Sequence, residues 1–109
     1  MIFSTSVQSI LLNEIERRSL PADFISTVER WYLPVAERLF HQQKKLGMTF
    51  MVSFNGAQGS GKSTMTAFLR LILLHHFKLN AIEVSIDDFY LTSFQFYEGG
   101  FNILFLSTG

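Results

Sequence analysis

The strongest indication of the fold of this 109-residue chain is residues 56–63, Gly56-Ala57-Gln58-Gly59-Ser60-Gly61-Lys62-Ser63. It fits the pattern G-x-x-x-x-G-K-[ST] at every fixed position, and a chance match in so short a chain has a probability below about 1%. Residues 48–54 form a short apolar run that indicates a buried strand, and residues 62–76 indicate a helix that is apolar nearly all round. A glycine-rich stretch between a strand and a helix predicts a phosphate-binding loop, the alternative being a glycine-rich turn that only caps the helix.

The residue types of this loop suit the binding of a triphosphate. Its glycines let the backbone turn tightly with N–H groups pointing inward, and the following helix directs the positive end of its dipole to the same place. Lys62 is expected to reach the β- and γ-phosphates, and the Ser63 hydroxyl to ligate a bridging Mg²⁺. The candidate nucleotide-binding residues are therefore Gly56, Ala57, Gln58, Gly59, Ser60, Gly61, Lys62, Ser63 and Thr64.

A second group of polar residues, Asp87 and Asp88, follows the next predicted strand, residues 81–86. Strand, loop, helix and strand make one βαβ unit, which predicts a parallel sheet. Ligands of such sheets bind at the carboxyl ends of the strands. A carboxylate there is suited to accept a proton from a substrate hydroxyl or to lie near the metal, so Asp87 is a candidate catalytic base and a possible Mg²⁺ ligand. By position alone, the two acids equally fit a polar turn or a helix cap.

The rest of the chain divides into a helical start and an apolar end. Residues 1–47 predict a helical extension, with an interruption at residues 19–21, a break or kink at Leu33 before Pro34, and a helix stop at Gly47. Trp31 and Tyr32 are expected to anchor these helices in the core. Residues 93–109 are rich in Phe, and residues 101–106 are compatible with a third strand, for which an exposed, aggregation-prone sheet edge is one interpretation.

Residues 55–64 and 85–92 together resemble the D-glycerate 3-kinase family of P-loop kinases, which is related to phosphoribulokinase, uridine kinase and pantothenate kinase. The segment Trp31-Tyr32-Leu33-Pro34 is similar to the helical extension of bacterial members, and the resemblance covers about residues 20–92. It implies an α/β fold, ATP and Mg²⁺ as cofactors, and transfer of the γ-phosphate of ATP to a hydroxyl of D-glycerate. By this resemblance the role of base for that hydroxyl falls on Asp87.

The resemblance stops after Thr92, where the family continues with a basic substrate-binding stretch, further strands and a cationic lid. Here no Lys or Arg follows Lys78. We therefore expect residues 48–92 to be the N-terminal part of a P-loop domain, and residues 93–109 to be the product of a truncation or frameshift. Two or three strands with one crossover helix cannot cover a parallel sheet on both faces. The alternative to a kinase is a remnant without catalysis that binds ATP weakly or not at all.

Composition excludes several other classes of function. Nine Lys and Arg balance nine Asp and Glu, which argues against nucleic-acid or membrane-surface partners. No apolar stretch approaches the roughly 20 residues of a membrane-spanning helix, and residues 1–12 lack signal-peptide features. The absence of Cys agrees with the expected cytoplasmic location. No Asn-Lys-x-Asp stretch supports a GTPase-like switch, and His41, His75 and His76 have no carboxylate at metal-binding spacing.

Overall fold

The computed structural model describes residues 3–55, 62–86 and 101–108, which form a mixed α/β structure. The helices are α1 (Thr5–Arg17), α2 (Phe24–Thr27), α3 (Leu33–Leu46) and α4 (Lys62–Leu71), with π-helical segments Val28–Tyr32 and Ile72–His76. The strands are β1 (Phe50–Asn55), β2 (Asn80–Ile86) and β3 (Phe101–Ser107). No helix in these three ranges is long and apolar enough to cross a membrane.

Residues 5–46 are mostly helical, as the sequence predicts, with one difference at Pro34. The N–H of Leu33 donates to the carbonyl of Val28, and the backbone stays helical from α2 through the π-helical segment into α3. The predicted break at Leu33 is therefore wrong. Wider π-type turns accommodate an irregularity in the hydrogen-bond ladder without ending the helix, and here they come just before the proline. The predicted stop is confirmed, since Gly47 ends α3 with a left-handed φ of 68°.

Helix α4 lies at the centre of the core. Phe68 is fully buried, and its ring centroid lies 5.5 Å from that of Phe24 and 6.0 Å from that of Tyr32. Helix α4 thus packs on the N-terminal helices as well as on the sheet, which explains why its sequence is apolar nearly all round. Burial raises the pKa of Tyr32. The prediction for its neighbour Trp31 is wrong, because that side chain is 63% exposed.

The sheet has the order β1-β3-β2, and both pairings are antiparallel. Strands β1 and β2 point in the same direction, as a βαβ unit requires, but β3 lies between them and runs the opposite way. The predicted parallel sheet is therefore wrong for the described residues. The sequence pattern identifies β3 as apolar and β-prone, but not its partners, because pairing depends on contacts between residues far apart in the chain. The interpretation of residues 101–106 as a sheet edge is also wrong, since β3 is the central strand.

The two faces of the sheet differ in exposure. Leu104 and Leu106 of β3 are fully buried on the face covered by α4, as alternation along a strand predicts. On the other face Met51 and Ile82 are 59% and 61% exposed, and both lie opposite Phe105 in the strand register. The described part of the chain leaves this apolar face uncovered.

Candidate functional site

The described ends of β1 and β2 lie at one edge of the sheet, and in the sequence each is followed by one of the two predicted groups. Asn55, the last residue of β1, and Ile86, the last residue of β2, both pair with Phe101. With neighbouring strands about 4.8 Å apart, the ends of β1 and β2 are separated by about 10 Å. In the sequence, the glycine-rich loop begins at the residue after Asn55, and Asp87 is the residue after Ile86.

Helix α4 presents its N-terminus at this same edge. Thr66 of α4 donates to Glu83 of β2, whereas Arg70, one turn later on α4, donates to the carbonyl of Ala81. Helix and strand numbers therefore run in opposite directions, so the beginning of α4 at Lys62 lies toward Ile86. In any α-helix the first four N–H groups lack an intrahelical partner, and these groups together with the positive end of the helix dipole favour an anion at the N-terminus.

Some of the candidate site residues lie in the part of the chain that the structure describes, and others do not. Residues 56–61, with Gly56, Ala57, Gln58, Gly59, Ser60 and Gly61, lie outside the described residues, as do Asp87 and residues 88–92. Lys62 and Ser63 form the first residues of α4, as predicted, and Thr64 is half-buried in the same turn. Their roles toward a nucleotide or Mg²⁺ remain predictions. In the described ranges no group of three His, Asp or Glu side chains is placed to hold a metal.

A polar network that the sequence pattern did not predict lies beneath this edge. The Oε2 atom of Glu83 accepts hydrogen bonds from Thr66 Oγ1 and Asn102 Nδ2, both at 2.9 Å. Thr66 is fully buried and Asn102 is 5% exposed. One carboxylate therefore joins α4 to β2 and to β3. The signal in the sequence is a single charged residue inside the apolar run 81–86, at a position that alternation assigns to the same face as the buried Ala81.

We expect Glu83→Ala to lower the free energy of unfolding by roughly 2–3 kcal/mol, because two buried donors lose a charged acceptor. Glu83→Gln retains an amide oxygen that can accept both bonds, and the expected loss is about 1 kcal/mol. Urea unfolding followed by circular dichroism measures both values. Equal losses for the two variants would contradict a role based on these hydrogen bonds.

A second charged cluster lies between α1 and α4. Glu14 accepts hydrogen bonds from Arg17 and Arg18, and its side chain is 14% exposed. The hydrogen bond from Arg17 lowers the pKa of the Glu14 carboxyl, although desolvation opposes the shift. These residues, together with Arg70 and Glu83, line a cavity of about 160 Å³.

Comparison of the chain with protein-family models, with curated proteins and with solved structures finds no match.

Proposed function

We propose that this chain is the nucleotide-binding, N-terminal part of an ATP- and Mg²⁺-dependent small-molecule kinase. The observation that carries the proposal is the complete G-x-x-x-x-G-K-[ST] pattern between β1 and α4, with the N-terminus of α4 at the carboxyl ends of β1 and β2. A helix N-terminus that follows a glycine-rich loop is suited to bind phosphate groups. This proposal rests on the motif and on the strand–loop–helix order of the sequence. It does not depend on the parallel sheet that the sequence predicted and that the described strands do not form.

In the proposed reaction, the loop N–H groups and Lys62 hold the triphosphate, and Asp87 accepts the proton of the acceptor hydroxyl. The freed oxygen forms a bond to the γ-phosphorus, and the bond from that phosphorus to the β-γ bridging oxygen breaks, leaving ADP. Hydroxyl and carboxylate oxygens, as in Ser63 and Asp87, are suitable ligands for Mg²⁺. When bound, Mg²⁺ neutralises charge on the phosphates. D-glycerate is proposed as the acceptor from the family resemblance alone.

A second candidate is a remnant that binds ATP weakly or not at all. The apolar sheet face that the described residues leave uncovered favours it, because a phosphoryl-transfer site needs a covered core and cationic groups over the γ-phosphate. The absence of Lys and Arg after Lys78 points the same way. Both candidates share the phosphate loop and differ in whether it still functions.

A calorimetric titration of the full chain with ATP and Mg²⁺ tests the proposal. Binding with a micromolar Kd supports a working phosphate loop, and transfer of labelled γ-phosphate to D-glycerate then tests the acceptor. A folded chain that releases no heat with ATP and Mg²⁺ contradicts nucleotide binding and supports the remnant. A chain that binds ATP but labels no glycerate would refute the acceptor and leave the nucleotide site intact.

A further inference from the structure

The cavity between α1 and α4 has a wall rich in guanidinium groups. The cavity has a volume of about 160 Å³. Its charged lining residues are three arginines, Arg17, Arg18 and Arg70, and two glutamates, Glu14 and Glu83. Because one water molecule occupies about 30 Å³ in the liquid, the cavity has room for a ligand of several heavy atoms. Arg70 and Glu83 come from α4 and β2 and the others from the end of α1, so the cavity wall combines three elements.

The cavity wall has more guanidinium groups than carboxylates, three arginines against two glutamates. Arg17 donates from Nε and Nη2 to Glu14, so its guanidinium is engaged on that carboxylate. Arg18 donates only its Nε–H, to the same carboxylate. The remaining N–H groups of Arg18 have no partner among the described residues. One carboxylate therefore faces two guanidinium groups.

Arg70 supplies a further cationic group. Its Nε–H donates to the Ala81 carbonyl at 3.1 Å, and its terminal nitrogens have no partner in the part of the chain that the structure describes. A guanidinium has five N–H donors, so most of its capacity is unused. Glu83, also in the wall, has its Oε2 bound by Thr66 and Asn102 and forms no ion pair with a described residue. The bond to Ala81 fixes Arg70 at the cavity without neutralising it.

We propose that this cavity binds a phosphate ion, held by Arg18 and Arg70. Guanidinium groups form paired, charge-assisted hydrogen bonds with phosphate oxygens. A tetrahedral phosphate can offer different oxygens to two arginines from separate helices, whereas a planar carboxylate has only two oxygens. The site is separate from the beginning of α4, because Arg70 lies two turns further along the helix than Lys62. Its existence does not depend on the proposed kinase activity.

Titration of the chain with inorganic phosphate, in a Lys62→Ala background that removes the loop lysine, tests this proposal. We expect a measurable heat of binding and a rise in Tm, both absent with acetate at equal ionic strength. Arg70→Gln should weaken phosphate binding about tenfold or more, since it removes a charge-assisted contact. Arg17→Gln is the matched control, with an expected change under about threefold, because that guanidinium is engaged on Glu14.

Three outcomes would overturn the site: no effect of phosphate, an equal effect of acetate, or equal weakening by Arg17→Gln and Arg70→Gln. If Arg70→Gln prevents folding, as judged by circular dichroism, Arg18→Gln replaces it with the same expected loss. If the Lys62→Ala chain binds phosphate while the unsubstituted chain does not bind ATP, the cavity is supported and the nucleotide site is refuted, so the two proposals fail separately.

Discussion

Lys62→Ala is expected to weaken the binding of ATP with Mg²⁺ by about 100-fold or more. Charge-assisted hydrogen bonds contribute roughly 1.5–3 kcal/mol each, and the lysine is expected to contact two phosphate groups. A loss of about 2.7 kcal/mol corresponds to a 100-fold change in Kd. Lys62 begins α4, and alanine is the strongest helix former, so the fold should be retained. Calorimetric titration of the two chains measures the effect directly.

The matched control is Lys45→Ala, the same chemical change on an exposed residue of α3. It removes an equal charge from the protein without touching the predicted loop, so its Kd for ATP should change less than twofold or so. If both variants weakened binding equally, the effect would reflect overall charge, and the predicted role of Lys62 would be wrong.

Phe68→Ala should lower the free energy of unfolding by about 3–5 kcal/mol. Its fully buried ring contacts Phe24 and Tyr32, so truncation loses both hydrophobic transfer energy and ring contacts, and leaves a cavity between α4 and the N-terminal helices. Small domains are stable by only about 5–15 kcal/mol, so a large share of the total would be lost. Urea unfolding at equilibrium gives the difference.

Met51→Ala serves as the comparison, since it also removes a large apolar side chain. Met51 is 59% exposed on the uncovered face of the sheet, and the expected change is within about 0.5 kcal/mol. A loss at Met51 as large as that at Phe68 would mean that the outer face is buried by a contact the described residues do not make.

The elements of the fold could be predicted from local pattern. Helical spacing of Val7, Leu11 and Ile15 predicts α1, and these three side chains are its buried residues. The strands were also located to within two residues, because short apolar runs between turn residues have few alternatives. Pairing could not be predicted in the same way. Placement of β3 between β1 and β2 depends on long-range contacts that no local pattern contains.

For the candidate site as well, features that depend on local pattern could be predicted, and features that depend on strand pairing could not. Motif spacing predicted the beginning of α4 at Lys62, since the loop pattern fixes where the helix must start. The bond between Glu83 and Asn102 could not be predicted, because it joins strands whose pairing was unknown. Trp31 was misjudged because its size favours burial on average, whereas here it lies on the solvent side of a helical segment.

The central position of β3 has a consequence for the order of folding. Each residue of β1 pairs with one about half the chain away, so joining β1 to β3 costs more loop entropy than joining β2 to β3, whose paired residues are much closer in the sequence. Helices can form from local contacts in microseconds, whereas sheets built from distant segments need milliseconds to seconds. The pairing of β1 with β3 is therefore expected to form last, after α4 has packed on the N-terminal helices.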